Sequence, residues 1–318
     1  MIFSVLTPTY NRAHTLPMVY EALCAQTFTD FEWLIMDDGS SDQTEQLINA
    51  WMSEGKLAIS YFKQPNGGKH RALNPLIQYA KGDFSIIVDS DDALTPNALE
   101  LLLSHWHNIP EEQRSQFAGV SAMCQSQTGK LLGLPIPEKV LDATNLEILY
   151  IYKLSGDRKG FVRSEILKQH PFPEYQGEKF LTESIIWQTI GFQYKTRYVS
   201  EVVCITDYLE DGLTENHVRH LRENPKGTTA YYRNTLDAPI KLSLKVRAGL
   251  HAYYVRYSLH AGYSLAKIIK DGTNKPFLMA FGLLTGPLFY LRDKYRHARN
   301  DKKTMRSAKP LAQKISSS

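Results

Sequence analysis

Cysteine is scarce in this 318-residue chain: Cys24, Cys124 and Cys204 are odd in number and far apart in sequence. That excludes a disulfide framework and a paired-cysteine zinc site, and it points to a reducing compartment. Long apolar runs are missing too. The most apolar stretch, "PFLMAFGLLTGPLFYL" at 276–291, falls short of the ~20 residues that a spanning helix needs, and two Gly and two Pro interrupt it. The start, "MIFSVLTPTYNR", has neither the basic residues nor the long apolar core of a secretion signal, so a cytoplasmic location is expected. No G-x-G-x-x-G follows the first apolar run and no G-x-x-x-x-G-K-[ST] occurs, which argues against a dinucleotide oxidoreductase or a P-loop enzyme. There is no internal repeat, and no low-complexity segment before the polar tail that begins near Ala298.

Acidic residues nearly vanish from the last quarter. Residues 238–318 hold 16 Lys+Arg against 3 Asp+Glu, a net of +13, whereas residues 1–237 hold 21 against 30, a net of −9. Such asymmetry suggests an anionic partner, either a membrane face or nucleic acid. No recognition motif supports nucleic acid. The apolar stretch at 276–291 has Lys267, Lys270 and Lys275 before it and Arg292, Lys294, Arg296 and Arg299 after it. An interfacial or re-entrant helix on an anionic leaflet is therefore expected there, the other reading being a buried hairpin. "LKVRAGLHAYYVRYSLHAGY" reads as a helix that mixes Tyr with Arg and His, which also suits an interface.

What is present at the other end is alternation. "IFSVLTP", "FEWLIMDD", "LAISYF" and "FSIIV" read as strands. Between them, "HTLPMVYEALCAQ", "DQTEQLINAWMSEG" and "GGKHRALNPLIQYAKGD" read as helices. The first has Leu16, Val19, Tyr20 and Leu23 on one face. The second has Asp42 and Glu45 placed like a capping box and Gly55 as a stop, and in the third Pro75 implies a kink or a late start. Strands alternating with helices predict an α/β fold with a mostly parallel sheet. Residues 118–210 read as α+β, including the helix candidate "GEKFLTESIIWQTIG" and, in "EVVCITDYLEDG", a strand then a turn. Residues from 215 on read as mainly helical.

In a parallel α/β sheet, ligands bind outside the carboxyl ends of the strands. "TPTYNR", "DDGSSD" and "DSDD" fall there. An Asp-x-Asp at a strand end suits a hard divalent cation, which takes one or two carboxylates and completes its shell with phosphate oxygens and water. Asp89-Ser90-Asp91 fits that need. The plain alternative is a solvated turn, with Thr95 and Pro96 as the N-cap and first position of the next helix.

These motifs in this order, "VLTPTYNRAHTLPMVYEALCAQTFTDFEWLIMDDGSSDQT", "GGKHRALN" and "DFSIIVDSDDALTP", resemble the inverting family 2 glycosyltransferases, whose nucleotide-sugar domain has the GT-A fold. The resemblance is strong over residues 1–105, weaker to about 215 and absent from the last quarter. It implies a donor half at 1–105, an acceptor and catalytic half at 106–214, and a basic helical extension at 215–318. It also implies that Thr7, Pro8 and Tyr10 line a nucleoside pocket, with Tyr10 against the base and Asp38 accepting a hydrogen bond from it. Asp89 would meet the ribose or the metal shell, and Asp91 would be the main ligand of Mn2+ or Mg2+. Asp92 would face the dipole of the next helix. Lys69 or Arg71 would reach the donor phosphates, with Arg163 and Lys179 as weaker candidates.

Family members often carry Glu-Asp at the start of an acceptor-side helix, with the second residue as base. Here the stretch is "LTESIIW", so Glu183 is the expected base, with Asp157 and Glu178 as alternatives. His217 and His220 read as a solvated helix face. The implied activity is metal-dependent inverting transfer from a UDP-sugar to a glycan or lipid-linked acceptor, on the inner face of a membrane. The rival from another class is a non-catalytic nucleotide-sugar or glycan-binding protein with the same fold. The basic helices could instead form an oligomer interface.

Overall fold

The computed structural model describes residues 1–206, 217–272 and 275–315, with side chains as far as Tyr295. The turn expected from Asp207 on, and the residue chosen as a boundary at 215, lie outside the described residues.

Strands β1 (Phe3–Thr9), β2 (Phe31–Asp37), β3 (Ile59–Lys63) and β4 (Phe84–Ile87) form a parallel block in the order β3-β2-β1-β4. All seven residues of β1 and all seven of β2 are buried, which is why these strands read as largely apolar runs instead of alternating ones. Helices α1 (Leu16–Cys24), α2 (Thr44–Glu54) and α3 (Lys69–Tyr79) are the crossovers. α1 buries Leu16, Val19, Tyr20 and Leu23 as its spacing predicts. Tyr20 stacks on Trp51 of α2 with ring centroids 4.4 Å apart.

Beyond β4 the sheet turns mixed. β5 (Asp92–Leu94) and α4 (Ala98–His107) lead to β6 (Phe117–Gln125), β7 (Val140–Ala143), α5 (Asn145–Tyr150), β8 (Arg158–Arg163), α6 (Ser164–Gln169), α7 (Ser184–Ile190), β9 (Lys195–Thr206) and α8 (His217–Glu223). The sheet continues from β4 as β8-β6-β9-β5, with β7 also on β9, and only β6 with β9 is parallel in this half. The sheet is thus α/β as expected but less parallel than its first four strands suggest. Cys124 and Cys204, remote in sequence, are register partners on β6 and β9 and are buried thiols. Hydrogen bonding to Cys124, together with burial, pushes the Cys204 thiol up.

One detail of strand length opens the site. β1 outruns β4: their pairing ends with Leu6 opposite Ile87, and Val88 donates to the Leu6 carbonyl at 3.0 Å. Past that point β1 has only β2 beside it, so Pro8, which has no N–H, removes no ladder bond toward β4. The chain after Val88 is then at liberty to turn away.

Several local expectations change. Asp42 and Glu45 form no capping box. Asp42 instead accepts from the backbone N–H of Thr44 and of Ala13, and Glu45 pairs with Lys63. Gly55 does stop α2, at φ 66°. α3 starts at Lys69 and runs through Pro75, so there is no late start. Thr95 and Pro96 do not begin a helix, because β5 precedes them and α4 begins at Ala98.

The chain divides into two compact units, one of Met1–Gly227 with Ala238–Ile240 and one of Thr228–Asp237 with Lys241 onward. The division falls after Gly227 instead of at 215, so α8 goes with the sheet. The second unit contains most of α9 (Pro225–Asp237), then α10 (Leu244–His260), α11 (Leu265–Lys270) and α12 (Pro276–Ile315). Residues 276–291 are neither broken nor a hairpin: they are the first turns of α12, continuous through Pro287. The glycines read as interruptions are points of close approach to α10. A Cβ on Gly282 would meet the His251 carbonyl at 2.9 Å, and one on Gly286 would meet Val255 at 2.7 Å.

Candidate active site

A cleft of about 990 Å3 opens at the carboxyl ends of β1 and β4. Its walls come from the end of β1 and the segment after it (Pro8, Tyr10, Arg12), from the segment after β4 (Asp89 to Asp92), from the start of α3 (Lys69), from β8 (Lys159) and from the start of α7 (Glu183). The loops are tied to one another. Asn11, in the left-handed region at φ 53°, donates its N–H to the Ser40 hydroxyl, and its side-chain oxygen accepts from the Ser41 N–H. Tyr10 is left 48% exposed at the cleft.

Asp38 lines the cleft, and its carboxylate is also engaged within the protein. It accepts four hydrogen bonds, from the side chains of Gln64 (2.7 Å) and Asn66 (3.1 Å) and from the N–H groups of Gly67 (2.8 Å) and Gly68 (2.7 Å). It therefore folds the Gly-rich loop and aims the first turn of α3. Gly68 is irreplaceable on two counts: its φ is 98°, and a Cβ there would lie 1.9 Å from the Lys179 carbonyl. Thr7, by contrast, does not line the cleft. It is fully buried, and its hydroxyl accepts from the Trp33 indole at 2.9 Å.

Charge is concentrated where β4 ends. The Lys69 ammonium lies 2.6 Å from Asp89 and 2.5 Å from Glu183. Lys159 lies 2.6 Å from Asp92 and 3.7 Å from Asp89. Burial opposes the charge on Asp89, yet the two ammonium groups outweigh it and hold the carboxyl well below the usual range. The same contacts hold the Lys69 and Lys159 amines above theirs, against the penalty of burial. Asp92 is accordingly no helix-dipole charge; it is buried, opens β5, and is neutralised by Lys159.

Asp91 differs. It has no ion-pair partner among the described residues, and burial together with Asp89 and Asp92 pushes its carboxyl up. No cluster of three or more His, Cys, Asp or Glu stands ready to hold a metal among the described residues. The donor set thus suits a hard cation that takes one carboxylate, Asp91, and draws its other ligands from phosphate and water. Asp89, already shared by two lysines, fits that role less well.

The other candidates sort cleanly. Lys69 points into the cleft, whereas Arg71 is spent on Glu174 and on the carbonyls of Gly67, Tyr175 and Glu178. Arg163 is taken by Glu165 and the carbonyls of Arg114 and Phe117. Glu178 is buried and accepts the N–H groups of Lys226 and Gly227, so it is structural. Asp157 and Lys179 line the cleft, the latter bonded to Asn66. His217 is exposed and His220 half-buried; both line the cleft, and His220 stacks on Phe180 at 5.1 Å. Glu183 occupies the N-cap position of α7, which begins at Ser184, inside the stretch 177–191 read as a helix candidate.

Lys159 had no signal in the sequence. Its strand is antiparallel to its neighbours and remote from the "DSDD" it neutralises. Lys159→Met should strand Asp92 and Asp89 without their shared cation, and breaking such a buried pair costs about 3–5 kcal/mol. Thermal melts of the two proteins check this; an unchanged midpoint would show that the cluster does not depend on the amine.

Residues 4–113 match the model of glycosyl transferase family 2. This segment is similar to that family. Among relatives, the poly(ribitol-phosphate) β-N-acetylglucosaminyltransferase TarS of Staphylococcus aureus is 34% identical over 102 residues, 31% of this chain and 18% of that one. The glycosyltransferase GlyG of Streptococcus pneumoniae is 34% identical over 101 residues, 32% of this chain and 34% of that one. The matched segment thus spans about a third or less of these curated relatives. Solved structures cover far more of this chain. That of S. aureus TarS 1-349 in complex with UDP-GlcNAc has a TM-score of 0.63 at 19% identity, covering 94% of this chain and 92% of that one. The mannosyltransferase PcManGT from Pyrobaculum calidifontis, in complex with GDP-Man and Mn2+, has a TM-score of 0.55 at 18% identity, covering 92% and 87%. The chain therefore has the GT-A fold.

Proposed function

We propose that the protein transfers a glycosyl group from a UDP-sugar to a hydroxyl of a glycan or lipid-linked glycan, with inversion. The observation that carries this reading is the line of Asp89, Lys69 and Glu183 along one wall of the cleft, with Asp91 beside it forming no ion pair among the described residues. The TarS complex with UDP-GlcNAc supports a uridine donor. Pro8 and Tyr10 border the nucleoside, and Lys69 meets the diphosphate. Glu183 takes the proton from the acceptor hydroxyl as that oxygen bonds to the anomeric carbon, and the bond from that carbon to the diphosphate breaks on the opposite face. Asp91 would hold Mn2+ or Mg2+, which supplies positive charge to the departing diphosphate. Lys69 keeps Glu183 oriented until the donor phosphates draw its ammonium away.

A thermal-shift panel of nucleotide sugars, each with and without Mn2+, tests the donor. UDP-sugars should raise the midpoint, and more so with the metal. A midpoint that no nucleotide sugar moves would overturn the reading. The substitution of Ser184 for the family's usual Asp favours the binding-protein alternative, so donor hydrolysis must be followed as well. Release of UDP, with the product's anomeric configuration read by NMR, separates the two.

A further inference from the structure

The second unit carries an apolar surface that the reaction does not use. Phe277, Phe281, Leu284, Leu288, Leu291 and Tyr295 of α12 are all exposed, from 44% at Phe281 to 90% at Phe277. Their spacing is 4-3-4-3-4, which keeps them in one stripe along about 27 Å of helix. The opposite face is already used: Met279 is buried, Gly282 and Gly286 abut α10, and Asp293 is buried against Arg256. The stripe is therefore an unpartnered face and not a loosely packed core.

We propose that this face of α12 lays the protein on an anionic lipid bilayer. Charge chooses the occupant. Asp293 is the sole acid between Lys275 and Tyr295, and it is turned inward to Arg256 and His260. The charged residues that border the stripe, Lys275, Arg292 and Lys294, are basic and exposed. A 4-3 spacing also suits pairing with a second copy. In a self-paired seam, however, the flanking positions beside Leu288 to Tyr295 hold Pro287, Arg292 and Lys294, and no exposed acid answers the two cations. Anionic headgroups answer both, while the Phe and Leu side chains enter the acyl boundary. No helix among the described residues is long and apolar enough to cross a membrane, so α12 lies in the interface.

The test is flotation of the 318-residue chain with phosphatidylcholine vesicles, with and without phosphatidylglycerol. The protein should float with the anionic vesicles, less at high salt but not to zero, because salt screens the lysines and not the apolar stripe. Leu284→Glu with Leu288→Glu should lower the bound fraction roughly tenfold or more. Arg292→Glu with Lys294→Glu, which leaves the stripe intact, should remove the preference for anionic lipid. A UDP thermal shift equal to the parent's certifies each variant and reports on the donor site separately. Equal binding to both vesicle types, or binding that neither pair of substitutions weakens, would overturn the proposal. So would a dimer, by light scattering, that the Leu284 and Leu288 substitutions dissociate, since the stripe would then belong to a second copy.

Discussion

Glu183→Gln should bind donor like the parent and transfer sugar about 10²–10⁴-fold more slowly, the usual contribution of a positioned base. The side chain keeps its size, and Lys69 keeps Asp89 at 2.6 Å, so the cleft wall stays in place. What would be lost is the carboxylate proposed to accept the acceptor's proton. Single-turnover rates with saturating donor, together with calorimetry for UDP, separate the two effects. If the variant turned over near the parent rate, Glu183 would not be the base, and Asp157 on the same cleft would be substituted next. Glu178→Gln serves as the control. It should lower the melting temperature through the N–H groups of Lys226 and Gly227 and leave the chemical step alone.

Asp91→Asn should have two opposite consequences. UDP affinity in the presence of Mn2+ should fall by about a hundredfold, ~2.8 kcal/mol, because the carboxylate proposed to hold the cation would be gone. The ligand-free variant should nevertheless melt above the parent. Burial, Asp89 and Asp92 raise the folded-state carboxyl of Asp91 above its ordinary value. The unfolded chain then gives up that proton first. Stability from Asp91 is full below the ordinary carboxylate range and is lost as the pH rises through the folded value. At neutral pH the ionised Asp91 is a cost that Asn does not carry, so the gain in midpoint should shrink as the pH is lowered into the acid range. Calorimetric UDP titrations and melts across pH check both parts. Unchanged affinity would remove Asp91 from the metal, and a gain that persisted in acid would remove the charge argument.

The first 92 residues were legible because their strands are buried on both faces and their crossover helices are not. A continuous apolar run such as "FSVLTPT" and an amphipathic run such as "LPMVYEALC" look different on the page. The same double burial hid Thr7. In a strand with two inner faces, alternation does not say which hydroxyl looks into the cleft and which into the core. The carboxylates at the strand ends announced a site, but their partners did not. Lys159 arrives from an antiparallel strand, and Asp38 turned out to organise a loop because its four donors come from residues 64–68. The basic quarter was read correctly as helical. Its apolar stretch was read as broken because Gly and Pro weaken helices in water, whereas Gly282 and Gly286 buy close contact with α10.

The buried pair of Arg256 and Asp293, bonded at 2.6 and 2.9 Å, has a meaning beyond cohesion. Apolar residues of similar volume would hold α10 and α12 together as well or better, since desolvating two charges offsets much of their attraction. A greasy contact, however, tolerates a slip of one residue, which turns a helix by about 100°. A two-pronged pairing of guanidinium and carboxylate tolerates none. The pair works as an index pin: it sets the rotational phase of α12, and with it which side chains face outward.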